Sequence, residues 1–464
     1  MIQWRGLASI ILAMACVCAA QSASATKPVT AISPDQLWAI DSAELGALAK
    51  DDDRNKLADA HALIEKFFAD PDSRPATIAA LTATEIDSNI LGRICRIHAR
   101  WPALAPGVYY LNERVGPNIA VYFLGIPHGY TPTNSVPLVI ELPTASGFVG
   151  DPKPDADRIT QIYTAWITDE LNKHPDAAVL MPLVNLTDLY GPTPEGMNHV
   201  IAPLQHVTSV INVDPSRVYL YGFAMSSIAA WDLSLHNGTY FAAFDAMAGV
   251  VRGDWQRTRL MNLRNTLPVI WQDDSDPVAP VSAAKQIVEA LRRLKCDVDY
   301  EQTHDLGHVP ADQIIADRYA AMRKRTRELY PHHVTIQSDR QEPVYNRLDW
   351  IRIDQPLMPG KERRLILENG EGKLTLDGNT RKVDATIDRP NHITIVTDNV
   401  ANFRVFLNDQ IVDFTQSITI SVNGRGRFEG MVKPDVREML MDQLTLGRGW
   451  RYFTGHADID LTTH

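Results

Sequence analysis

Three patterns of apolar and polar positions follow one another along the chain. Between residues 30 and 100, apolar residues recur at the three- and four-residue spacing of amphipathic helices. From about 107 to 330, short apolar runs alternate with helical patterns, and after about 335 apolar and polar residues alternate one by one. We therefore expect a helical extension at 26–106, an α/β domain at 107–332 and a β-rich domain at 333–464.

The middle segment predicts a mostly parallel sheet with helices on both faces, because strands that alternate with helices pair in parallel. The predicted strands are Ala120–Leu124, Leu138–Leu142, Ala178–Met181, Val218–Tyr221, Val269–Trp271 and Val298–Gln302. A helix is predicted at Val281–Leu294. In such sheets ligands bind at the carboxyl ends of the strands, so the chemistry is expected there.

The last segment predicts a small set of β-strands after a linker near Tyr330–Gln341. The predicted strands are Arg363–Leu367, Lys373–Leu376, His392–Thr397, Phe403–Leu407 and Ile418–Val422. Asn423 and Gly424 follow the last of these, and this pair is typical of a two-residue hairpin turn.

The first 25 residues resemble an export signal. Arg5 precedes an apolar stretch from Leu7 to Cys18, and Ala23, Ser24 and Ala25 form an A-x-A cleavage site. The mature protein is therefore expected to be secreted or periplasmic, with cleavage after Ala25 and no later membrane segment. Cys95 and Cys296 would remain, either as a disulfide or as two buried thiols.

Charge and motifs narrow the possible partners. The formal net charge is −11, from 45 Lys and Arg against 56 Asp and Glu, which argues against a general nucleic-acid or anionic-membrane binder. No metal, nucleotide or dinucleotide motif occurs in a suitable context, so no cofactor and no metal are expected. The expected partner is a small-molecule ester, peptide or glycan-linked ligand, and the oligomeric state stays open.

A strand that ends in a tight turn before a helix indicates a nucleophile elbow. The G-x-S-x-G elbow holds its serine on a strained turn between a strand and a helix. Here Gly222 occupies the first position, Ala224 stands at the apex where Ser is expected, and Ser226 replaces the second Gly.

Two later loops carry an acid and a histidine in the order of a hydrolase triad. Asp276 follows the predicted strand Val269–Trp271, and His308 follows the strand Val298–Gln302. One oxyanion N–H is expected from Met225, the residue after the apex. The other is expected from Thr144 or Ala145, which follow the strand Leu138–Leu142.

Together these motifs make residues 107–320 similar to exported α/β-hydrolases of the esterase and prolyl-oligopeptidase-like group, which includes feruloyl-esterase and polyhydroxybutyrate-depolymerase-like enzymes. The matching residues are Gly222, Met225, Trp231, Asp232, Leu233, Asp276, Pro277, Val278, Pro280, Gly307 and His308. The segment Asn399–Val432 resembles a β domain that follows such hydrolases in some environmental bacteria. The resemblance implies an α/β-hydrolase fold of serine-hydrolase descent.

The chain departs from that group at the nucleophile, because Ala224 carries no hydroxyl for His308 to deprotonate. We therefore expect impaired serine catalysis and a pseudo-hydrolase that works by binding. The alternative is an ester or peptide hydrolase in which His308 and Asp276 activate water, or in which Ser226 acts as a relocated nucleophile.

Overall fold

The computed structural model describes part of the chain. It covers residues 21–22, 54–96, 101, 103–115, 117–143, 156–183, 190–191, 193–249, 251, 253–342, 344–360, 363–366, 373–376 and 378–462. The predicted cleavage site after Ala25 lies outside these residues.

A nine-stranded, mostly parallel sheet forms the centre of the α/β part. Its strands are β1 (Gln21–Ser22), β2 (Gly107–Val115), β3 (Asn118–Ile126), β4 (Val136–Leu142), β5 (Ala178–Pro182), β6 (Val213–Phe223), β7 (Ala243–Met247), β8 (Leu267–Asp273) and β9 (Asp299–Thr303). The spatial order is β1-β2-β3-β5-β4-β6-β7-β8-β9, and β3 runs antiparallel to both of its neighbours. From β2 onward this is the strand order of the α/β-hydrolase fold, so the predicted fold class is confirmed.

Helices cover both faces of this sheet. They are α4 (Ala156–Lys173), α5 (Pro194–Val210), α6 (Met225–Asn237), α7 (Asp254–Thr258), α8 (Val281–Arg293) and α9 (Asp312–Arg323). One face packs against α5, α6 and α8, and the other against α4 and α9. Strand β4 is buried along its whole length, which explains its mostly apolar sequence, and its one charged residue is Glu141.

Three strands of the sheet were missed by the sequence pattern: the two-residue β1, β2 and β7. Strand β2 reads as irregular because Glu113 and Arg114 lie at its exposed end. Strand β7 is interrupted by Asp245, which looks like a turn residue but is fully buried. Burial raises the pKa of the Asp245 carboxyl well above its usual range, which favours its neutral form inside the sheet.

The C-terminal part is β-rich, as predicted. It contains β10 (His333–Ser338), β11 (Arg347–Leu348), β12 (Ile351–Pro356), β13 (Arg363–Ile366), β14 (Lys373–Leu376), β15 (Arg381–Arg389), β16 (His392–Asp398), β17 (Val400–Leu407), β18 (Ile418–Val422), β19 (Arg425–Gly430) and β20 (Gly455–Asp460). A five-stranded sheet, β10-β15-β16-β18-β19, and a four-stranded sheet, β11-β12-β17-β20, share one apolar core. Asn423 and Gly424, with φ of 51° and 76°, form the predicted turn between β18 and β19.

The segment predicted as a linker is part of the fold. Its residues His333–Ser338 form β10, and the backbone of Gln337 is held by the side chain of Asn262 from the α/β part. The Asn262 amide donates to the Gln337 carbonyl at 3.0 Å and accepts from its N–H at 2.8 Å. Residues 333–338 are therefore a strand of the β-rich part and not a linker.

The predicted N-terminal helices are α1 (Arg54–Ala69), α2 (Arg74–Ala83) and α3 (Ser88–Arg96). They pack against helix α10 (Val436–Leu446) near the other end of the chain, in a core that includes Phe67, Leu91 and Met439. These helices therefore dock onto the C-terminal part.

The two cysteines left open by the sequence are both free and buried. Burial raises the pKa of the Cys95 thiol to about 12, although the nearby Arg448 opposes this shift. Within the described part of the chain, no helix has the length and apolar character needed to cross a bilayer.

Candidate active site

The elbow keeps its strained geometry without its serine. Ala224 lies between the end of β6 and the start of α6, with φ 54° and ψ −114°. Its N–H donates to the Met247 carbonyl at 2.8 Å, and its own carbonyl accepts from the Ser227 N–H at 3.2 Å. A non-glycine residue in this region costs about 1–3 kcal/mol, so the surrounding contacts must hold the turn in place.

Two glycines make room for this turn. A Cβ on Gly222 would lie 2.5 Å from the Ser226 carbonyl oxygen, which is too close for any side chain. A Cβ on Gly249, at the end of the neighbouring strand, would lie 2.6 Å from the Ala224 carbonyl oxygen and 1.8 Å from Ser227 Oγ. Gly222 was expected from the motif. Gly249 was missed, because its closeness to the elbow arises only when β6 and β7 pair.

The two serines of the elbow are engaged elsewhere. Ser226 is buried, and its hydroxyl donates to the Pro143 carbonyl at 3.0 Å. Ser227 is also buried, and its hydroxyl donates to the Ala224 carbonyl at 2.9 Å. Among the described residues, no hydrogen bond joins either hydroxyl to His308.

The structure brings together the acid and the histidine that the sequence predicts. His308 Nδ1 lies 2.9 Å from Asp276 Oδ2 and 3.0 Å from Oδ1. Asp276 also accepts from the N–H groups of Val278, at 2.7 Å, and Ala279, at 3.1 Å, and from the Gln272 amide at 2.9 Å. Burial alone would raise the pKa of the Asp276 carboxyl, but these hydrogen bonds outweigh it and hold the pKa below its usual range.

This arrangement prepares His308 as a base. An ionised Asp276 only accepts hydrogen bonds, so Nδ1 carries a proton, and in a neutral imidazole Nε2 then keeps its lone pair. The His308 side chain is 18% exposed, and its ring lies 5.4 Å from the ring of Phe223, the residue before the elbow apex. The imidazole therefore stands beside the turn that would carry a nucleophile.

The structure describes only one of the residues expected to supply the oxyanion N–H groups, Met225. Met225 is the first residue of the 13-residue helix α6, where N–H groups lack intrahelical acceptors and the helix dipole favours negative charge. Thr144 and Ala145 lie outside the described residues. Pro143, immediately before them, is held against the elbow by the Ser226 hydroxyl.

A residue that the sequence did not single out connects the acid loop to the histidine loop. Asp273, the last residue of β8, accepts hydrogen bonds from the N–H groups of Leu306 and Gly307, just before His308. It also accepts from the N–H and the hydroxyl of Ser275. An Asp two residues before a Ser, at the end of a strand, is a signal for such a turn.

Among the described residues, no group of three or more His, Cys, Asp or Glu side chains is arranged to hold a metal ion. The polar groups of the site are instead a base, its orienting carboxylate and a helix N–H. These groups suit the polarisation of a carbonyl and the activation of a hydroxyl or a water.

No family model matches the chain, and no curated protein matches it in sequence. A thermostable esterase of known structure is 18% identical with a TM-score of 0.37, over 47% of this chain and 63% of the esterase. The dipeptidyl peptidase 4 of Porphyromonas gingivalis is 12% identical with a TM-score of 0.37, over 48% of this chain and 36% of the peptidase. A ferulic acid esterase from Anaeromyces mucronatus is 13% identical with a TM-score of 0.33, over 50% of this chain and 94% of the esterase.

The matched region thus spans less than two thirds of the esterase and of the peptidase. The strand order of the sheet and the elbow at Ala224 assign the fold independently of these similarities. By those two features, the α/β part of the chain has a serine-hydrolase-like fold.

Proposed function

We propose that this protein is a pseudo-hydrolase that binds an ester, peptide or glycan-linked carbonyl ligand at the elbow and forms no acyl-enzyme there. The observation that carries the proposal is the apex itself. Ala224 keeps the strained conformation of a nucleophile residue but presents only a methyl group. The hydroxyls of Ser226 and Ser227 donate to backbone carbonyls instead.

The rest of the site supports binding. The Met225 N–H lies at the start of α6, where it can donate to a ligand carbonyl oxygen. His308 Nε2 can accept a hydrogen bond, because Asp276 holds the proton on Nδ1. A donor and an acceptor on either side of a small apex residue suit an uncleaved ester or amide.

A second function is favoured by the intact His308–Asp276 pair. An oriented imidazole with a free lone pair can remove a proton from water, which would then attack the ligand carbonyl directly. This route needs no residue at position 224, and it predicts slow hydrolysis that depends on both His308 and Asp276.

The two functions are separated by hydrolysis of p-nitrophenyl acetate. For the pseudo-hydrolase we expect no His308-dependent turnover by the native chain and at least a hundredfold gain in Ala224→Ser. The double variant Ala224→Ser/His308→Ala should lose that gain. The matched control is Ala224→Ser/Ser226→Ala, which should keep His308-dependent turnover, because the Ser226 hydroxyl is bonded to the Pro143 carbonyl and does not supply the nucleophile.

The outcomes of this assay are distinct. Native turnover that disappears in His308→Ala would favour the water route and contradict the pseudo-hydrolase. If folded Ala224→Ser gains nothing, the site is not prepared for a carbonyl and the proposed binding function is wrong.

We also propose that the mature protein is exported, on the basis of the N-terminal signal pattern. N-terminal mass analysis of protein recovered from the periplasm or the medium should find a chain that begins at Thr26. An intact Met1 terminus in the cytoplasmic fraction would contradict this proposal.

A further inference from the structure

Four exposed apolar side chains belong to the loops that carry the candidate site. Met225 is 57% exposed, Val278 53%, Val309 49% and Leu306 44%. They belong to a set of only ten large apolar side chains that are strongly exposed in the described part of the chain. Such side chains usually lie scattered, so their gathering at one site marks a ligand surface. We call these four residues the apolar rim.

Each residue of the rim either follows a residue of the candidate site in the chain or donates its backbone N–H to one. Met225 follows the apex Ala224, and Val309 follows His308. The Val278 N–H donates to Asp276 Oδ1 at 2.7 Å, and the Leu306 N–H donates to Asp273 Oδ2 at 3.1 Å. The rim therefore comes from three separate loops that meet at the His308–Asp276 pair.

The charges of these loops limit what the rim can bind. None of the segments 222–228, 272–279 and 303–310 contains Lys or Arg, so they offer no fixed cation to an anionic ligand. The carboxylates of Asp273 and Asp276 already accept several hydrogen bonds each from these loops. An uncharged ligand with an apolar group suits this surface better than an anionic one.

We propose that the apolar rim binds the acyl chain of an uncharged ester or amide whose carbonyl lies at the elbow. The inference rests on the proposed function and adds the substrate class, an aliphatic carbonyl compound. Burial of the acyl chain against Met225, Val278, Leu306 and Val309 provides affinity that grows with chain length. The elbow and His308 fix the position of the carbonyl.

The test compares two amides that the proposed pseudo-hydrolase would bind without cleavage, N-phenylacetamide and N-phenylhexanamide. Isothermal titration calorimetry with the native full chain should give at least tenfold tighter binding of the hexanamide. Leu306→Asn and Val278→Asn should each reduce this preference severalfold. The matched control is Val396→Asn, an equally exposed residue on β16 of the C-terminal part, which should leave the preference unchanged.

Circular dichroism melting curves serve to confirm that all three variants stay folded, as expected for exposed positions. Equal affinity for the two amides would overturn the rim proposal while leaving the proposed function in place. A hexanamide preference that survives both rim variants would also overturn it.

Two further outcomes contradict the rim proposal. If neither amide binds, the rim is not an acyl site, and the Ala224→Ser esterase assay decides separately whether the elbow accepts a carbonyl. Self-association that Leu306→Asn abolishes, without any chain-length effect, would assign the rim to a protein interface instead.

Discussion

Asp273 and Gly307 connect the two loops that carry the His308–Asp276 pair, through a hydrogen bond of 3.0 Å from the Gly307 N–H to Asp273 Oδ1. The same carboxylate accepts from the Leu306 N–H at 3.1 Å and from the Thr303 hydroxyl at 2.7 Å. Burial would raise the pKa of the Asp273 carboxyl, but its hydrogen bonds hold the pKa well below the usual range. Asp273 is thus a positioning residue for His308.

Replacement of this carboxylate should loosen the histidine loop. Asp273→Ala leaves several partly buried N–H and hydroxyl donors without their acceptor, and we expect it to lower the free energy of unfolding by about 3 kcal/mol. We also expect changed NMR signals from the His308 ring, because the loop before it loses two backbone contacts. Urea unfolding and histidine-selective NMR measure the two effects.

The matched control is Asp274→Ala, the next residue along the chain. The Asp274 carboxylate pairs with His304 at the surface, so its loss should cost less than 1 kcal/mol and leave the His308 signals unchanged. Similar effects from the two substitutions would contradict the positioning role of Asp273.

The strain at the elbow predicts a substitution that stabilises the fold. Glycine adopts the φ of 54° at position 224 without the steric cost that alanine bears, although it loses more chain entropy on folding. Ala224→Gly should therefore leave stability unchanged or raise it by up to about 1 kcal/mol. Ala230→Gly, inside α6, should lower it by about 1 kcal/mol or more. Thermal melting of both variants checks this, and a loss in Ala224→Gly as large as that in Ala230→Gly would mean that the apex is unstrained.

A buried pair of carboxyl groups beneath α9 predicts a loss of stability as the pH rises. The Tyr319 hydroxyl oxygen lies 2.8 Å from Glu141 Oε2 and 3.0 Å from Glu170 Oε2. A hydroxyl has only one proton to donate, so a protonated carboxyl must donate in one of these contacts. Burial, and then the charge of Glu170, raise the pKa of Glu141 well above its usual range, so Glu141 is the protonated partner.

The proton on Glu141 determines whether stability rises or falls with pH. Between the unfolded pKa of Glu, about 4.3, and the raised folded pKa, the folded state binds more protons than the unfolded state. The stability that Glu141 contributes is complete below the unfolded value, and it is lost as the pH rises through the folded pKa, by up to about 1.4 kcal/mol per pH unit.

Glu141→Gln should remove this dependence, since the amide can donate to Tyr319 at any pH. We expect the melting temperature of the native chain to fall more steeply between pH 5 and pH 8 than that of the variant. Glu289→Gln, at an exposed position on α8, is the control and should keep the native slope. Parallel curves for native chain and Glu141→Gln would rule out a protonated Glu141.

A buried ion pair joins the α/β part to the C-terminal part. Asp349 Oδ1 accepts from Arg327 Nη2 at 2.5 Å and from the Thr239 hydroxyl at 3.2 Å, and the carboxylate and the guanidinium are both almost completely buried. Asp349→Ala should cost about 3–5 kcal/mol, because it leaves the Arg327 charge buried and unpaired. Asp354→Ala, which breaks a partly exposed pair with Arg352, should cost less than about 1 kcal/mol. Denaturant unfolding measures the free energy of unfolding of both variants. Equal losses of stability would contradict the importance of burial for the Asp349–Arg327 pair.

The sequence by itself indicated six of the nine strands of the α/β part, their alternation with helices and the loops that carry the candidate site. Apolar periodicity reports which side of each element is buried, and this is a local property that a single chain segment displays. The absence of a hydroxyl at Ala224 is equally certain from the sequence, because it is a matter of covalent structure. The placement of Asp276 and His308 after successive strands predicted their contact, since the carboxyl ends of parallel strands share one edge.

Only the tertiary structure decided which hydrogen-bond partner each polar side chain takes. The Ser226 hydroxyl reaches Pro143, 83 residues away, and Asp273 reaches Gly307, 34 residues away. The N-terminal helices pack on α10 from the far end of the chain. These contacts depend on strand register and on helix docking, which join segments that are distant in sequence, and no local pattern encodes the distance between two side chains on different loops.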